Sequence, residues 1–246
     1  MDALQFQETG YEIVPGFLDP GAVQRLRDHA IAELQSLRGP VEYEADVGYP
    51  GAPKDRAAAG GNTPRRLLSA CSRHDLWREL ATSPSLRERL QPLLGEAPLL
   101  SQSHHNCVMT KHPGFSSATH WHQDIRYWSF DRPDLVSAWF ALTEENTANG
   151  ALNVVPGSHV MDFEPERFDE HLFLRPELAI NSQLIDSAIP VELDPGDLLL
   201  FHCRTLHAAG KNQTDRVKLS AVFTYHGLTN APSANTKSSL YPAIPF

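Results

Sequence analysis

His122 and Asp124 stand two residues apart in Thr119-His120-Trp121-His122-Gln123-Asp124, a stretch that reads as extended chain. Side chains at i and i+2 of a strand share a face. This imidazole and this carboxylate therefore reach one metal ion together, which is two thirds of the two-histidine, one-carboxylate face of non-haem Fe(II) oxygenases. Such a face leaves one side of an octahedral iron open to a chelating 2-oxo acid and then dioxygen. Zinc accepts the same ligands, so the set by itself does not name the metal. The third ligand must come from a later strand that returns beside His122. Asp194-Pro195-Gly196-Asp197 is a turn before the apolar run Leu198-Leu199-Leu200-Phe201, which delivers His207 beyond its far end. His120 and His202 compete for the role. His120 leaves a three-residue gap to Asp124 and suits the pair less well, and His202 closes an apolar run and reads as barrel wall. Trp121 and Gln123 point the other way and read as packing.

The elements that position these residues follow from patterning. Gly10 to Phe17 suits one strand, and Asp19-Pro20 opens a helix with Asp as N-cap and Pro at the first helical position. Val23, Leu26, Ala30, Leu34 and Leu37 give that helix its apolar face, and Gly39-Pro40 ends it. Val41 to Pro64 is rich in Gly and Pro with little periodicity and reads as a long loop of the kind that serves as a lid. Ser72 to Leu94 reads as helix in two pieces broken at Ser83 to Ser85. Short strands follow: Leu99 to Lys111, Leu135 to Leu142, Ala151 to Val155, Ile189 to Leu193, Asp197 to His202 and Val217 to His226. Strands separated by Pro, Gly and Asp after N-terminal helices give a mainly β fold with peripheral helices, a double-stranded β-helix or jelly roll. The expected organisation is one domain over residues 1–246, with 1–97 helix-rich and 98–230 forming the jelly-roll core.

Composition excludes several classes. With 41% hydrophobic and 21% charged residues, neither disorder nor membrane residence is expected. No apolar run approaches the ~20 residues that span a bilayer. A net charge of −9 argues against nucleic acid and anionic membranes as partners. Cys71, Cys107 and Cys203 are too scattered for a disulfide framework or a zinc knuckle and read as free thiols. The N-terminus carries no basic and apolar leader, so a cytoplasmic location is the expectation.

The residues resemble the phytanoyl-CoA dioxygenase family of Fe(II)/2-oxoglutarate oxygenases, which also contains ectoine hydroxylase. The pieces that match, in order, are Gly10-Tyr11 to Phe17-Leu18, Lys111-His112-Pro113-Gly114, His122-Gln123-Asp124, Ser137-Ala138-Trp139-Phe140-Ala141-Leu142, Asn149-Gly150-Ala151-Leu152 with Val155-Pro156-Gly157-Ser158-His159, and Gly196-Asp197-Leu198 through His207 to Asn212. The resemblance implies a jelly roll, His122, Asp124 and His207 on Fe(II), and 2-oxoglutarate and dioxygen as co-substrates. It also implies a basic residue after the distal histidine for the far carboxylate of 2-oxoglutarate. Guanidinium chemistry favours Arg216 for that role, whereas the family's usual interval favours Lys218. Lys111, Cys107 and Trp139 match positions that line the co-substrate. Asn149-Gly150 and Pro156-Gly157-Ser158 read as turn chemistry.

The implied reaction is oxidative decarboxylation of 2-oxoglutarate to succinate and CO2, coupled to oxidation of a small-molecule substrate. Hydroxylation is favoured over halogenation because Asp124 is present where related halogenases lack the carboxylate. Substrate-side candidates are His105, Arg126, Tyr127, Trp128 and the 41–64 loop. Strand alternation allows only one of Gln102/His104/Asn106 and Ser103/His105/Cys107 to face inward, and the family match of Cys107 and Lys111 favours the second set. Arg126 and Lys111 point to an acidic or zwitterionic metabolite, and the chain is shorter than a member acting on a bulky CoA thioester is expected to be. The alternative is a jelly-roll metal protein that is not an oxygenase: a zinc hydrolase, an isomerase or a non-catalytic cupin. Oligomeric state is not legible.

Overall fold

A computed structural model describes residues 3–49 and 51–246. Met1 and Asp2 of the N-terminal stretch and Pro50 of the 41–64 segment lie outside the described residues. In chain order the strands are β1 (Tyr11–Val14), β2 (Val41–Tyr43), β3 (Pro64–Leu68), β4 (Pro98–Lys111), β5 (Thr119–His122), β6 (Leu135–Ala141), β7 (Leu152–Val154), β8 (Ile189–Pro190), β9 (Leu198–His202), β10 (His207–Ala209), β11 (Lys218–Gly227) and β12 (Ile244–Pro245). The helices are α1 (Ala3–Thr9), α2 (Pro20–Ser36), α3 (Ala70–Arg73), α4 (Asp75–Ala81), α5 (Pro84–Leu94) and α6 (Ala179–Ile185).

Two antiparallel sheets make the jelly roll. The larger runs β1-β9-β6-β11-β4-β3-β2 with β12 added on β4, and the smaller runs β5-β10-β7-β8. At the centre of the larger sheet both faces are buried, which is why β6 and β9 read as near-continuous apolar runs. On β6, β9 and β11, Phe140, Leu200 and Phe223 pack outward against Leu86, Leu90 and Trp77 of the helices. The alternate residues Trp139, Phe201 and Val222 point inward to meet Leu152, Val154 and Ala209 of the smaller sheet. Each fully buried Leu or Phe here contributes roughly 1.5–3 kcal/mol of transfer free energy.

The α2 start is as the sequence indicates: the Asp19 carboxylate accepts from the Ala22 N–H at 2.9 Å, with Pro20 at the first position. Its end falls at Ser36, and Leu37 turns left-handed. Leu37 is 38% exposed rather than part of the apolar face. Residues 3–9 are helical, and Gly10 closes α1 with φ 81°. A Cβ on Gly10 would meet His159 Nδ1 and Thr205 Oγ1 at 2.6 Å, so only glycine fits this corner.

Three expectations are corrected. The 41–64 segment is not all loop: β2 pairs with β3, and β3 pairs with β4, extending the large sheet. No helical or alternating apolar period marks such short, half-buried strands at the end of the sheet, so propensity alone misses them. The strict alternation expected of β4 also fails. Asn106 faces Phe223 of β11, but the next residue of β11, Thr224, faces Ser101. Gln102, Ser103, His104 and His105 therefore bulge off that ladder, and members of both alternation sets turn toward one cavity. The strand expected over Ile189 to Leu193 shortens to β8 plus a bridge from Leu193 to Glu145. Among the described residues no helix is long and apolar enough to cross a membrane, and Cys71, Cys107 and Cys203 are buried free thiols.

Candidate metal centre and its cavity

Antiparallel pairing of β5 with β10 sets His122 directly opposite His207. Strand β5 ends at His122, but Gln123 keeps extended dihedrals (φ −110°, ψ 136°), so Asp124 still shares the His122 face as it opens a 3₁₀ turn, Asp124–Tyr127. His122 Nε2 and His207 Nε2 lie 3.6 Å and 3.7 Å from Asp124 Oδ1. The three ligand atoms fall within 4.8 Å of one another, and all three residues are buried.

Each imidazole is oriented by its own backbone. His122 Nδ1 donates to the His120 carbonyl at 2.8 Å and His207 Nδ1 to the Thr205 carbonyl at 2.9 Å. A carbonyl only accepts, so these bonds put the proton on Nδ1 and leave the Nε2 lone pair facing the centre. Burial and the neighbouring His122 hold His207 down at about 4, so it is neutral at pH 7 as a metal ligand must be. Burial pushes the Asp124 carboxyl up, but His105, His207 and His122 together hold it below the usual carboxylate range. Asp124 Oδ2 is buried without a hydrogen-bond partner, 3.6 Å from His105 Nδ1. A buried carboxylate oxygen left unpaired is costly. Two free Nε2 lone pairs converging on a carboxylate whose second oxygen is left unpaired fit a divalent cation.

The triad opens into a cavity of about 430 Å³. Lys218 lies in its wall, 3% exposed, with its ammonium 2.6 Å from Glu145 Oε2. Glu145 also accepts from Trp139 Nε1 at 2.7 Å and from the Ser220 hydroxyl at 2.5 Å. The Lys218 ammonium sits 5.0 Å from the Trp139 ring centre. Lys111 donates to the carbonyls of Ser117 and Gly210, and burial, then repulsion from Lys218, brings its amine down to about 7. Gly150 is held at φ 79° beside Lys111, where a Cβ would come 2.5 Å from the Gly210 oxygen. Cys107 lines the same wall, its thiol pushed up to about 11 by burial.

Arg216 is the residue the structure moves out of the site. Strand β11 begins only at Lys218, and residue 216 sits in a turn whose carbonyl accepts from Asn212 Nδ2 at 2.7 Å. Its side chain is 93% exposed, with Asp215 at 4.0 Å. His120 lies against Phe173 and lines a separate surface cavity of about 300 Å³. His202 stands 3.6 Å from Asp134. Arg126 does not line the main cavity; its guanidinium stacks 3.9 Å over Phe173 and 4.6 Å over Tyr127.

Sequence reasoning missed Glu145, Arg65, Arg66 and the C-terminal residues Lys237, Leu240 and Tyr241, which all lie at or on the cavity. Arg65 pairs with the buried Glu44 at 3.3 Å and Arg66 with Glu42 at 3.1 Å. Glu145 carries no local signature, because its partners lie on other elements.

Fold and site together define a jelly roll with a buried two-histidine, one-carboxylate centre beside a cavity lined by basic side chains. The family model described as Phytanoyl-CoA dioxygenase (PhyH) matches residues 6–220, and the chain belongs to that family of Fe(II)- and 2-oxoglutarate-dependent dioxygenases. It is 29% identical to an ectoine dioxygenase of Halomonas elongata, over 92% of this chain and 69% of the relative. It is 30% identical to a probable phytanoyl-CoA dioxygenase of Caenorhabditis elegans, over 56% of this chain and 46% of the relative. Two solved structures share the fold. The epimerase SnoN in complex with Fe3+, alpha ketoglutarate and nogalamycin RO has a TM-score of 0.75 at 24% identity, covering 99% of this chain and 93% of that one. EctD from S. alaskensis with 2-oxoglutarate and 5-hydroxyectoine has a TM-score of 0.73 at 21% identity, covering 94% and 77%.

Proposed function

We propose that this enzyme hydroxylates a small polar or acidic metabolite, with release of succinate and CO2. His122, Asp124 and His207 hold Fe(II), Lys218 assisted by Lys111 receives the far carboxylate of 2-oxoglutarate, and Trp139 and Cys107 wall that subsite. The observation that carries the reading is that one cavity holds both the ligand triad and these two lysines. Bound iron supplies the redox chemistry by which dioxygen and 2-oxoglutarate are consumed. The chain's own residues supply the rest: they orient the ligand lone pairs, keep His207 unprotonated and exclude bulk water from the lysine end.

The acidic character of the substrate draws on local donors. Five basic side chains line the cavity (Arg65, Arg66, Lys111, Lys218, Lys237). Glu44, Glu42 and Glu145 balance Arg65, Arg66 and Lys218, so an acidic substrate is favoured by individual basic groups and not by a net positive charge of the cleft. The helix-rich 1–97 part and the 98–230 core work as one catalytic unit in this reading, since β3 of the former supplies Arg65 and Arg66 to the cavity of the latter.

The test is addition of 2-oxoglutarate to the anaerobic Fe(II) protein, monitored by the charge-transfer absorption of the iron chelate, followed by succinate analysis in air. Saturable chelate formation and succinate release are expected. No chelate would end the oxygenase reading.

A further inference from the structure

After β11 the chain turns back across the cavity mouth as a strap, residues 233–246. It is fastened along its length. The Ser238 hydroxyl accepts from the Ser129 N–H at 2.8 Å and bonds His104 Nε2 at 2.8 Å. Gln102 Nε2 donates to the Pro242 carbonyl at 2.7 Å, β12 pairs with β4, and the Phe246 ring sits 5.5 Å from Tyr225. Two of these anchors, Gln102 and His104, belong to the β4 bulge. Lys237, just before the first anchor, and Leu240 and Tyr241, between Ser238 and Pro242, line the cavity, and Leu240 and Tyr241 are left 66% and 61% exposed. The family match ends at residue 220, so the strap lies outside the part this chain has in common with the family model.

The cations of the cavity differ in what they already hold. Lys218 is paired with Glu145, Arg65 with Glu44 and Arg66 with Glu42, and Lys111 is bonded to two carbonyls. Among the described residues Lys237 is the cavity-lining cation whose side chain has no hydrogen bond or ion pair. The neighbouring imidazole does not compete with it. Burial, then its neighbour His105, holds His104 down at about 3, so that wall carries one charge, on Lys237. The bulge that anchors the strap also carries His105, whose Nδ1 lies 3.6 Å from Asp124.

We propose that the strap is a substrate-recognition cap, in which Lys237 receives a carboxylate of the primary substrate while Leu240 and Tyr241 cover the apolar part next to it. The substrate class is thus a small organic acid with an apolar or aromatic body. The assignment rests on the oxygenase reading, with 2-oxoglutarate occupying the lysine end. A charge-assisted bond of this kind adds about tenfold or more to affinity over a neutral isostere.

The test uses the anaerobic protein loaded with Fe(II) and 2-oxoglutarate, after its chelate absorption has been recorded, so that a failure of the oxygenase reading shows first and separately. Matched carboxylate and carboxamide probes (phenylacetate and phenylacetamide, hippurate and hippuramide, N-acetyl-leucine and its amide) are then titrated by calorimetry. At least one acid should bind about tenfold more tightly than its amide. Lys237→Gln should erase that ratio without changing amide affinity, and Lys237→Arg should restore it, with the chelate absorption recorded for each variant as a check on folding. Equal affinities within every pair, absence of acid binding altogether, or a ratio that survives Lys237→Gln would overturn the proposal.

Discussion

The two ends of the cavity are built in different ways. At the metal end each histidine is fixed by the carbonyl two residues before it, His120 for His122 and Thr205 for His207, so each ligand is oriented by its own short segment. At the lysine end the bonds join different elements of the sheet. Lys218 of β11 is held by Glu145 from the segment after β6, which also binds Trp139 of β6 and Ser220 of β11. At one end each ligand's orientation is a property of a short stretch of sequence, with β5–β10 pairing bringing the stretches together, and the other end exists only once the large sheet has closed.

The largest effect belongs to the metal end. His207→Ala removes a ligand, and both Fe(II) affinity and succinate formation should fall by more than the roughly 10–100-fold seen when only a partner of a ligand is lost. Equilibrium dialysis and a succinate assay read this. Survival of either within tenfold would refute the assignment of His207.

Next comes the long-range network. Glu145→Gln leaves a buried ammonium without its counter-ion and should cost about 3–5 kcal/mol in denaturant unfolding. The double variant Glu145→Gln with Lys218→Met should be more stable than Glu145→Gln alone, because no charge is then stranded. A double variant at least as damaged as the single would show that packing, not charge, holds this end.

Third is a pH effect at Lys111. Its amine is brought down to about 7, so it is charged below that pH and neutral above. Affinity for 2-oxoglutarate should therefore weaken by about three- to tenfold from pH 6 to pH 8, with proton uptake on binding at the higher pH. Calorimetry in two buffers of different ionisation enthalpy measures the uptake, and Lys111→Met should flatten the profile. The smallest effect is at Arg216. Arg216→Ala should leave 2-oxoglutarate affinity within about twofold, as befits an exposed side chain; a larger loss would return the arginine to the site.

This difference in construction also decides what could be read beforehand. His122, Asp124 and the setting of His207 were legible because strand periodicity and turn residues act over a few positions. The α2 start was legible from Asp19-Pro20 for the same reason. Arg216 and Lys218 share a parity, and guanidinium chemistry and the family's interval favour opposite members of the pair; the start of β11 separates them, and it is set by pairing with Lys111 of β4, which no local pattern reports. β2 and β3 escaped notice because their pairing depends on β4, and Glu145 because each of its bonds reaches another element. The bulge at residues 102–105 was illegible too, since a strand period gives no sign of residues that skip the ladder.

That bulge has a bearing on how the enzyme can change. Because Gln102 to His105 stand off the β11 ladder, Asn106 to Lys111 stay in register with Phe223 to Lys218 whatever the bulge contains. The same stretch fastens the strap through Gln102 and His104 and touches Asp124 through His105, so exchanges there would alter the strap's seating and the surroundings of the metal centre while Cys107 and Lys111 keep their pairing. Ser103, whose buried hydroxyl has no partner, is the position at which libraries aimed at new substrates should start.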